Sequence, residues 1–195
     1  KEIELRDRLL SFSGKERYKK EFEKAYQLFW RRPFREPLVL DEKEEANFAC
    51  FLEWFIHDFS LWNGATIVEE FYQEKKEKLS EEELSLLKYE MASYLSLYEV
   101  TSVTPEVGLR LKDLFTGEEI DILEVKGSLT AVKWDVIFAR VIRMGAVNKL
   151  SGIATLIPRR SKENVLLSIK GVWEKFKSET GNHEWSYFIK SNAHL

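Results

Sequence analysis

Residues 98–123 read YEVTSVTPEVGLRLKDLFTGEEIDIL, and within this segment the spacing of apolar side chains changes from a helical to a strand period. Apolar and charged residues alternate on both sides of the turn segment FTGE, residues 115–118. Because glycine readily adopts the positive φ that tight hairpin turns require, Gly117 marks the turn. The segment therefore predicts a β-hairpin.

Two further apolar runs follow the hairpin, at residues 136–141 and 147–157. The first is apolar on both faces, which is typical of a central strand. Between the hairpin and these runs, Leu123 and Val125 break the alternation, and either a β-bulge or burial of both faces would explain the break. About five or six short strands separated by turns predict a small antiparallel β-barrel or a strongly curled sheet over residues 98–158.

The sequence on either side of the predicted sheet has the helical period. Two capping boxes, Asp41 with Glu44 and Ser80 with Glu83, mark helix starts in residues 1–97. In residues 159–195, one helix is expected from Ser161 to about Lys177 and a second over 184–191. We therefore predict an α+β fold in one compact unit, in which an N-terminal helical region packs on the β-barrel and C-terminal helices close it.

The composition excludes several classes of protein. The chain has 195 residues, of which 44% are hydrophobic, so it is neither disordered nor collagen-like. A single Cys allows no internal disulfide, no run of about 18 apolar residues could span a membrane, and a cytoplasmic location is expected. Enrichment in Glu and Lys fits a thermophilic source. The first residue is Lys rather than Met, which is compatible with an excerpt of a longer protein.

Basic residues concentrate in the second half of the predicted barrel. Residues 131–160 carry six basic side chains and one acidic, although the whole chain has a net charge of −3. One interpretation is a nucleic-acid surface beside Trp134, because arginines contact phosphates while aromatic rings stack on bases. The other is that these cations pair with acidic residues inside the fold. The candidate contact residues are Arg140, Arg143, Arg159 and Arg160.

A second hypothesis concerns four residues of the hairpin and of the segment directly after it. Metal-dependent nucleases of the PD-(D/E)xK type hold Mg²⁺ with an Asp and the Glu of a Glu-x-Lys element, whose Lys stabilises developing charge. Glu124 and Lys126 match that element, with Asp113 or Asp121 as the preceding aspartate. The alternative is a hairpin with a charged, solvated face. No metal or other cofactor is expected outside this hypothesis.

Residues 48–62 are unusually rich in large aromatic side chains. Six rings within 15 residues are difficult to bury against one core. Exposed members, with Trp54 and Trp62 as candidates, would form a partner or homodimer surface. The competing interpretation is that two faces of this helix are buried.

The stretch from Phe51 to about Pro158 resembles a domain found upstream of the SEC-C motif in uncharacterised bacterial proteins. The segments that carry the resemblance are FLEWFIHD, NGATIVEEF, LSEEE, LRLKDLFTGEE and WDVIFARVI. The cysteine-rich SEC-C tail itself is absent from this sequence, so zinc binding is not carried over. The resemblance implies an accessory or adaptor domain.

These observations favour a non-enzymatic interaction module with a protein or nucleic-acid partner. The contact residues would be the four arginines together with whichever of Trp54, Trp62 and Trp134 are exposed. The competing hypothesis is the Mg²⁺-dependent nuclease. The two differ in whether Glu124 and Lys126 lie beside an aspartate in a cleft or on an open face of the hairpin.

Overall fold

A computed structural model of the chain describes residues 2–145 and 147–192, with the side chains of residues 43 and 46 left out. The described residues form eight α-helices and a closed five-stranded barrel, which confirms the α+β class. The chain divides into two compact units. One contains the residues up to Ala92 with the last residues from Ser191, and the other contains Ser93–Lys190. No helix in the described ranges is long and apolar enough to cross a membrane.

The first unit is helical. Both predicted capping boxes are present: Glu44 N donates to Asp41 Oδ1 at 2.9 Å, and Glu83 N donates to Ser80 Oγ at 3.3 Å, each with the reciprocal bond. The helices are α1 Glu2–Ser13, α2 Lys19–Trp30, α3 Glu42–His57, α4 Ile67–Lys75 and α5 Glu81–Ala92.

The aromatic side chains of α3 form the core of this unit. Phe51 is fully buried, and its ring lies within 6.4 Å of rings from α2 and of others on α3. Phe55 is also fully buried and stacks on Phe51. The rings on α3 are therefore largely buried within the first unit rather than exposed as a partner or homodimer surface.

The second unit is built on the barrel. Its strands are β1 Leu95–Thr104, β2 Gly108–Asp113, β3 Glu119–Leu123, β4 Val136–Met144 and β5 Val147–Ile157. Around the barrel the order is β1-β2-β3-β5-β4. All neighbours are antiparallel except β3 and β5, which pair in parallel at Ile122 and Asn148, so the barrel is mixed rather than wholly antiparallel.

Two boundaries differ from the prediction, and both have a physical reason. The first strand begins at Leu95 rather than near residue 98. Residues 95–100 are all buried, the polar Ser96 and Glu99 included, so burial in this stretch does not follow the polarity of the sequence. The break at Leu123 and Val125 is not a bulge. β3 ends at Leu123, and a short helix, α6 Val125–Ser128, begins immediately after Glu124, whose carboxylate caps it through Gly127 N at 2.9 Å.

Two apolar layers stabilise the second unit. The side chains inside the barrel include Tyr98, Val100, Leu111 and Ile122. Outside it, Leu97 and Val136 pack against Leu166 of α7 Lys162–Thr180, the first of the predicted C-terminal helices. This helix ends at Gly181 with φ 69°, and α8 Trp185–Asn192 follows.

Candidate functional site

The four residues of the nuclease hypothesis do not converge. Asp113 is fully buried at the end of β2, where its Oδ1 accepts the N–H groups of Phe115 and Thr116 at 2.8 and 3.0 Å. Asp121 lies on the exposed face of β3 and forms a bidentate pair with Arg110 at 2.7 and 2.9 Å. Hydrogen bonding to Arg110 keeps the pKa of Asp121 below its ordinary value.

The Glu-x-Lys element has a structural role instead. Glu124 is the N-cap of α6, and the side chain of Lys126 is exposed on the first turn of that helix. In the part of the chain that the structure describes, no three His, Cys, Asp or Glu side chains are placed to hold a metal ion. The four residues of the nuclease hypothesis therefore do not form a metal site in the described part of the chain.

Three of the four predicted arginines are already engaged. Arg140 is fully buried, and its Nη1 donates to the carbonyl and hydroxyl oxygens of Ser93 at 3.1 and 3.2 Å, so it is not part of a contact surface. Arg143 binds Glu118 through two bonds of 2.6 and 2.7 Å. The Arg143–Glu118 pair agrees with the interpretation in which the cations pair with acidic residues within the fold.

The remaining two arginines follow β5. Arg159 Nη2 donates to Asp135 Oδ1 at 2.8 Å and to the carbonyl oxygen of Lys133 at 3.1 Å. Arg160 is exposed and makes no hydrogen bond or ion pair with any described residue. The predicted basic face therefore retains one free arginine.

The three candidate tryptophans differ sharply in exposure. Trp54 is 2% exposed and belongs to the core of the first unit, so it is not among the exposed tryptophans to which the prediction of contact applied. Trp62 is 58% exposed, and Trp134 is 52% exposed. Of the two tryptophans predicted for a partner or homodimer surface on the aromatic helix, the exposed one, Trp62, lies in the turn after α3, and dimerisation itself stays a prediction.

Trp134 lies in a backbone conformation that is rare for a bulky residue. Its φ is 75°, in the left-handed region, where a side chain other than glycine costs about 1–2 kcal/mol. The conformation is fixed by hydrogen bonds to β1: Trp134 N donates to Val100 O, and Val100 N donates to Asp135 O, both at 2.8 Å. β1 changes its register against β2 between Val100 and Ser102, next to this attachment.

Charged neighbours fix the segment further. Asp135 Oδ2 accepts Val132 N at 2.9 Å, while Oδ1 receives Arg159. Burial alone would raise the pKa of Asp135, but these hydrogen bonds outweigh it and hold the pKa below its ordinary value. Lys133 Nζ lies 4.5 Å from the centre of the Trp134 ring, a cation–π distance.

The connection that carries Trp134 is unusually apolar for an exposed segment. Leu129 is 61% exposed and Val132 is 53% exposed. We call residues 129–135 the Trp134 loop. Its start is fixed to α6 by Ala131 N, which donates to Gly127 O at 2.8 Å. Exposed apolar groups concentrated on a rigid segment are typical of a contact surface.

Sequence reasoning identified Trp134 but missed Leu129, Val132 and Lys133. The available signal was the sequence itself: residues 129–134 read LTAVKW between the hairpin and the central strand, with apolar residues in no helical or strand period. Apolar residues outside any regular element have no core face of their own, so their exposure could have been suspected.

Comparisons with known proteins bear on the family only. A family model described as "Family of unknown function (DUF7986)" matches residues 1–190. Searches of curated proteins and of solved structures gave no match. The description of the family mentions no SEC-C motif, so that part of the resemblance stays a prediction. Because the match covers nearly the whole chain, the protein belongs to DUF7986, a family of unknown function.

Proposed function

We propose that this protein is a non-enzymatic interaction module, and that the Trp134 loop binds a protein partner. The observation that carries the proposal is the conformation of Trp134. A half-exposed indole is held at positive φ by two backbone hydrogen bonds and by the Asp135–Arg159 pair. Strain of this kind persists where the surrounding structure enforces it, and it concentrates at functional sites.

The loop has the composition of a protein-binding surface. Trp is the residue most enriched in the energetic centres of interfaces, and aliphatic neighbours such as Leu129 and Val132 exclude water around it. A rigid loop also loses little conformational entropy on binding. The expected partner offers an apolar pocket for the indole.

The charges around the loop suggest what surrounds that pocket. The ammonium group of Lys133 lies over the Trp134 ring. Arg160 is the next residue after Arg159, which donates to the carbonyl oxygen of Lys133. Both are exposed cations, Lys133 within the loop and Arg160 directly after the arginine that is bonded to it. Carboxylates at the rim of the partner's pocket would complement them and speed association.

Nucleic acid is the less favoured partner. Residues 123–135 contain two acidic and two basic side chains, and Arg143 and Arg159 are paired with carboxylates. Tight binding to nucleic acid needs several uncompensated cations facing phosphates. The accessory role proposed here is also what the resemblance to the SEC-C-associated domain implies.

The test is a quantitative pull-down from the cells that make the protein, with Trp134→Ala compared with Trp62→Ala. The two tryptophans are almost equally exposed, so the control removes the same side chain from the other unit. We expect Trp134→Ala to reduce recovery of one protein by about ten-fold or more, and Trp62→Ala to leave it unchanged. Equal recovery with both variants would contradict the proposal. Recovery of nucleic acid that Trp134→Ala abolishes would replace the protein partner.

A further inference from the structure

The first unit contains a cavity that plays no part in the proposed function. It has a volume of about 520 Å³ and lies at the connection between α2 and α3. This volume is within the range of small-molecule sites, about 300–1,000 Å³. The cavity is lined by Tyr26, Arg32, Arg35 and Glu36 and by four apolar side chains of the same connection.

One wall of the cavity is held by a partly buried hydrogen-bond network. The Tyr26 hydroxyl accepts from Arg32 Nε at 3.0 Å and Nη2 at 2.6 Å, and it donates to Glu44 Oε1 at 2.8 Å. Arg32 also binds the second oxygen of Glu44, which is almost fully buried and belongs to the capping box of α3. The connection is therefore fixed at both ends, and the charge of Arg32 is compensated.

Arg35 differs from Arg32 in this respect. It is exposed, lines the same cavity, and has no hydrogen bond or ion pair within residues 2–145 and 147–192. The one carboxylate in the lining, Glu36, is bound to Lys19 Nζ at 2.8 Å. Arg35 is thus the cation of the lining whose charge the protein leaves uncompensated.

The rest of the lining is apolar. Pro33, Pro37, Leu38 and Val39 supply hydrocarbon surface and no side-chain hydrogen-bonding group. A guanidinium recognises carboxylate, sulfonate and phosphate groups through paired N–H donors. An inorganic anion would use the cation but leave the apolar surface empty.

From this arrangement we infer that the cavity binds a small molecule with one anionic group on an apolar body. The anionic group contacts Arg35, and the apolar body lies against the proline, leucine and valine side chains. This site is independent of the Trp134 loop, and either can fail without the other.

The probe for the test is 8-anilino-1-naphthalenesulfonate, an apolar fluorophore with one anionic group. The full chain is titrated and compared with Arg35→Gln and Arg31→Gln. Both variants remove one positive charge four residues apart, but only Arg35 lines the cavity. We expect saturable binding that is about ten-fold weaker in Arg35→Gln and unchanged in Arg31→Gln, since a charged hydrogen bond is lost in only one of them.

A third variant tests the apolar part of the cavity. Val39→Trp fills the cavity from an exposed position and leaves the charge unaltered, and we expect it to weaken binding as well. Excess inorganic phosphate should compete poorly, because it lacks the apolar body. Identical titrations for Arg35→Gln and Arg31→Gln would overturn the inference, as would non-saturable binding to the full chain. Full competition by phosphate would overturn the claim that an apolar body is needed for binding.

Discussion

The backbone N–H of Trp134 donates a 2.8 Å hydrogen bond to the carbonyl oxygen of Val100, and this bond fixes the indole at the end of the barrel. Val100 is fully buried among the side chains inside the barrel. The exposed indole of the loop is therefore carried by backbone that is attached to a fully buried position of the barrel. This arrangement gives a preformed contact residue.

The left-handed conformation of Trp134 is testable without a partner. Trp134→Gly and Trp134→Ala remove the same indole, but only glycine adopts positive φ without steric cost. We expect the free energy of unfolding of Trp134→Gly to exceed that of Trp134→Ala by about 1 kcal/mol, as measured by urea denaturation. If the alanine variant is the more stable one, the conformation described here is wrong.

Arg140 should behave as a structural residue. Its guanidinium is fully buried against Ser93, so Arg140→Ala removes a buried charge, leaves a cavity and leaves polar groups without their donor. We expect a loss of about 3 kcal/mol in unfolding free energy. The matched control is Arg160→Ala, which should change stability by less than about 0.5 kcal/mol because that side chain is exposed. Similarly small losses of stability for both variants would contradict the buried, structural position of Arg140.

Variants of Asp113 distinguish between two roles of this residue, as a turn residue and as a metal ligand. Asp113→Asn keeps the Oδ1 acceptor for Phe115 N and Thr116 N, whereas Asp113→Ala removes it. Oδ2 has no hydrogen-bond partner among the described residues, so Asn also removes a buried charge that is incompletely satisfied. We expect Asp113→Ala to cost about 2 kcal/mol and Asp113→Asn less than about 1 kcal/mol.

The same two variants are then heated with and without Mg²⁺. If Asp113 is a turn residue, the midpoint temperatures of thermal unfolding should not depend on Mg²⁺. Mg²⁺-dependent stabilisation of the unmodified chain, lost in Asp113→Asn, would revive the nuclease hypothesis.

The Trp134 loop should loosen in acid. The folded-state pKa of Asp135 lies below its ordinary value of 3.8, so its stabilising effect is present above that pH and is lost as pH falls through the lowered pKa. The Asp135→Asn variant has an uncharged amide at this position, so its stability does not change with the ionisation of residue 135. We expect the difference in unfolding free energy between the unmodified chain and this variant to shrink below about pH 4. A constant difference across this range would mean that the bonds to Val132 and Arg159 do not favour the ionised form of Asp135 in the folded state.

The sequence allowed the fold to be predicted further than the site. Capping boxes at Asp41 and Ser80 and the turn at Gly117 depend on residues within four positions of one another, so local chemistry identifies them. The parallel pairing of Ile122 with Asn148 depends on residues far apart in the chain, and no local pattern reports it. The mixed character of the barrel could not be predicted for this reason.

The site depends on long-range facts throughout. Nothing near Arg140 in the sequence shows that Ser93 will receive its guanidinium, and nothing near Trp54 shows that α2 will cover it. Trp134 could be named as aromatic and near basic residues, but its positive φ follows from the attachment to Val100. Exposure and strain emerge only when the strands are assembled.

Site-specific photo-crosslinking tests the Trp134 loop most directly. A photoreactive phenylalanine analogue replaces Val132, which leaves Trp134 in place, and in a control chain it replaces Leu167, which is at least as exposed on α7 of the same unit. In the cells that make the protein, we expect one protein to crosslink from position 132 and not from 167. Adding Trp134→Ala should abolish that product. The same product from both positions, or its persistence in Trp134→Ala, would contradict the assignment of the Trp134 loop as the partner surface.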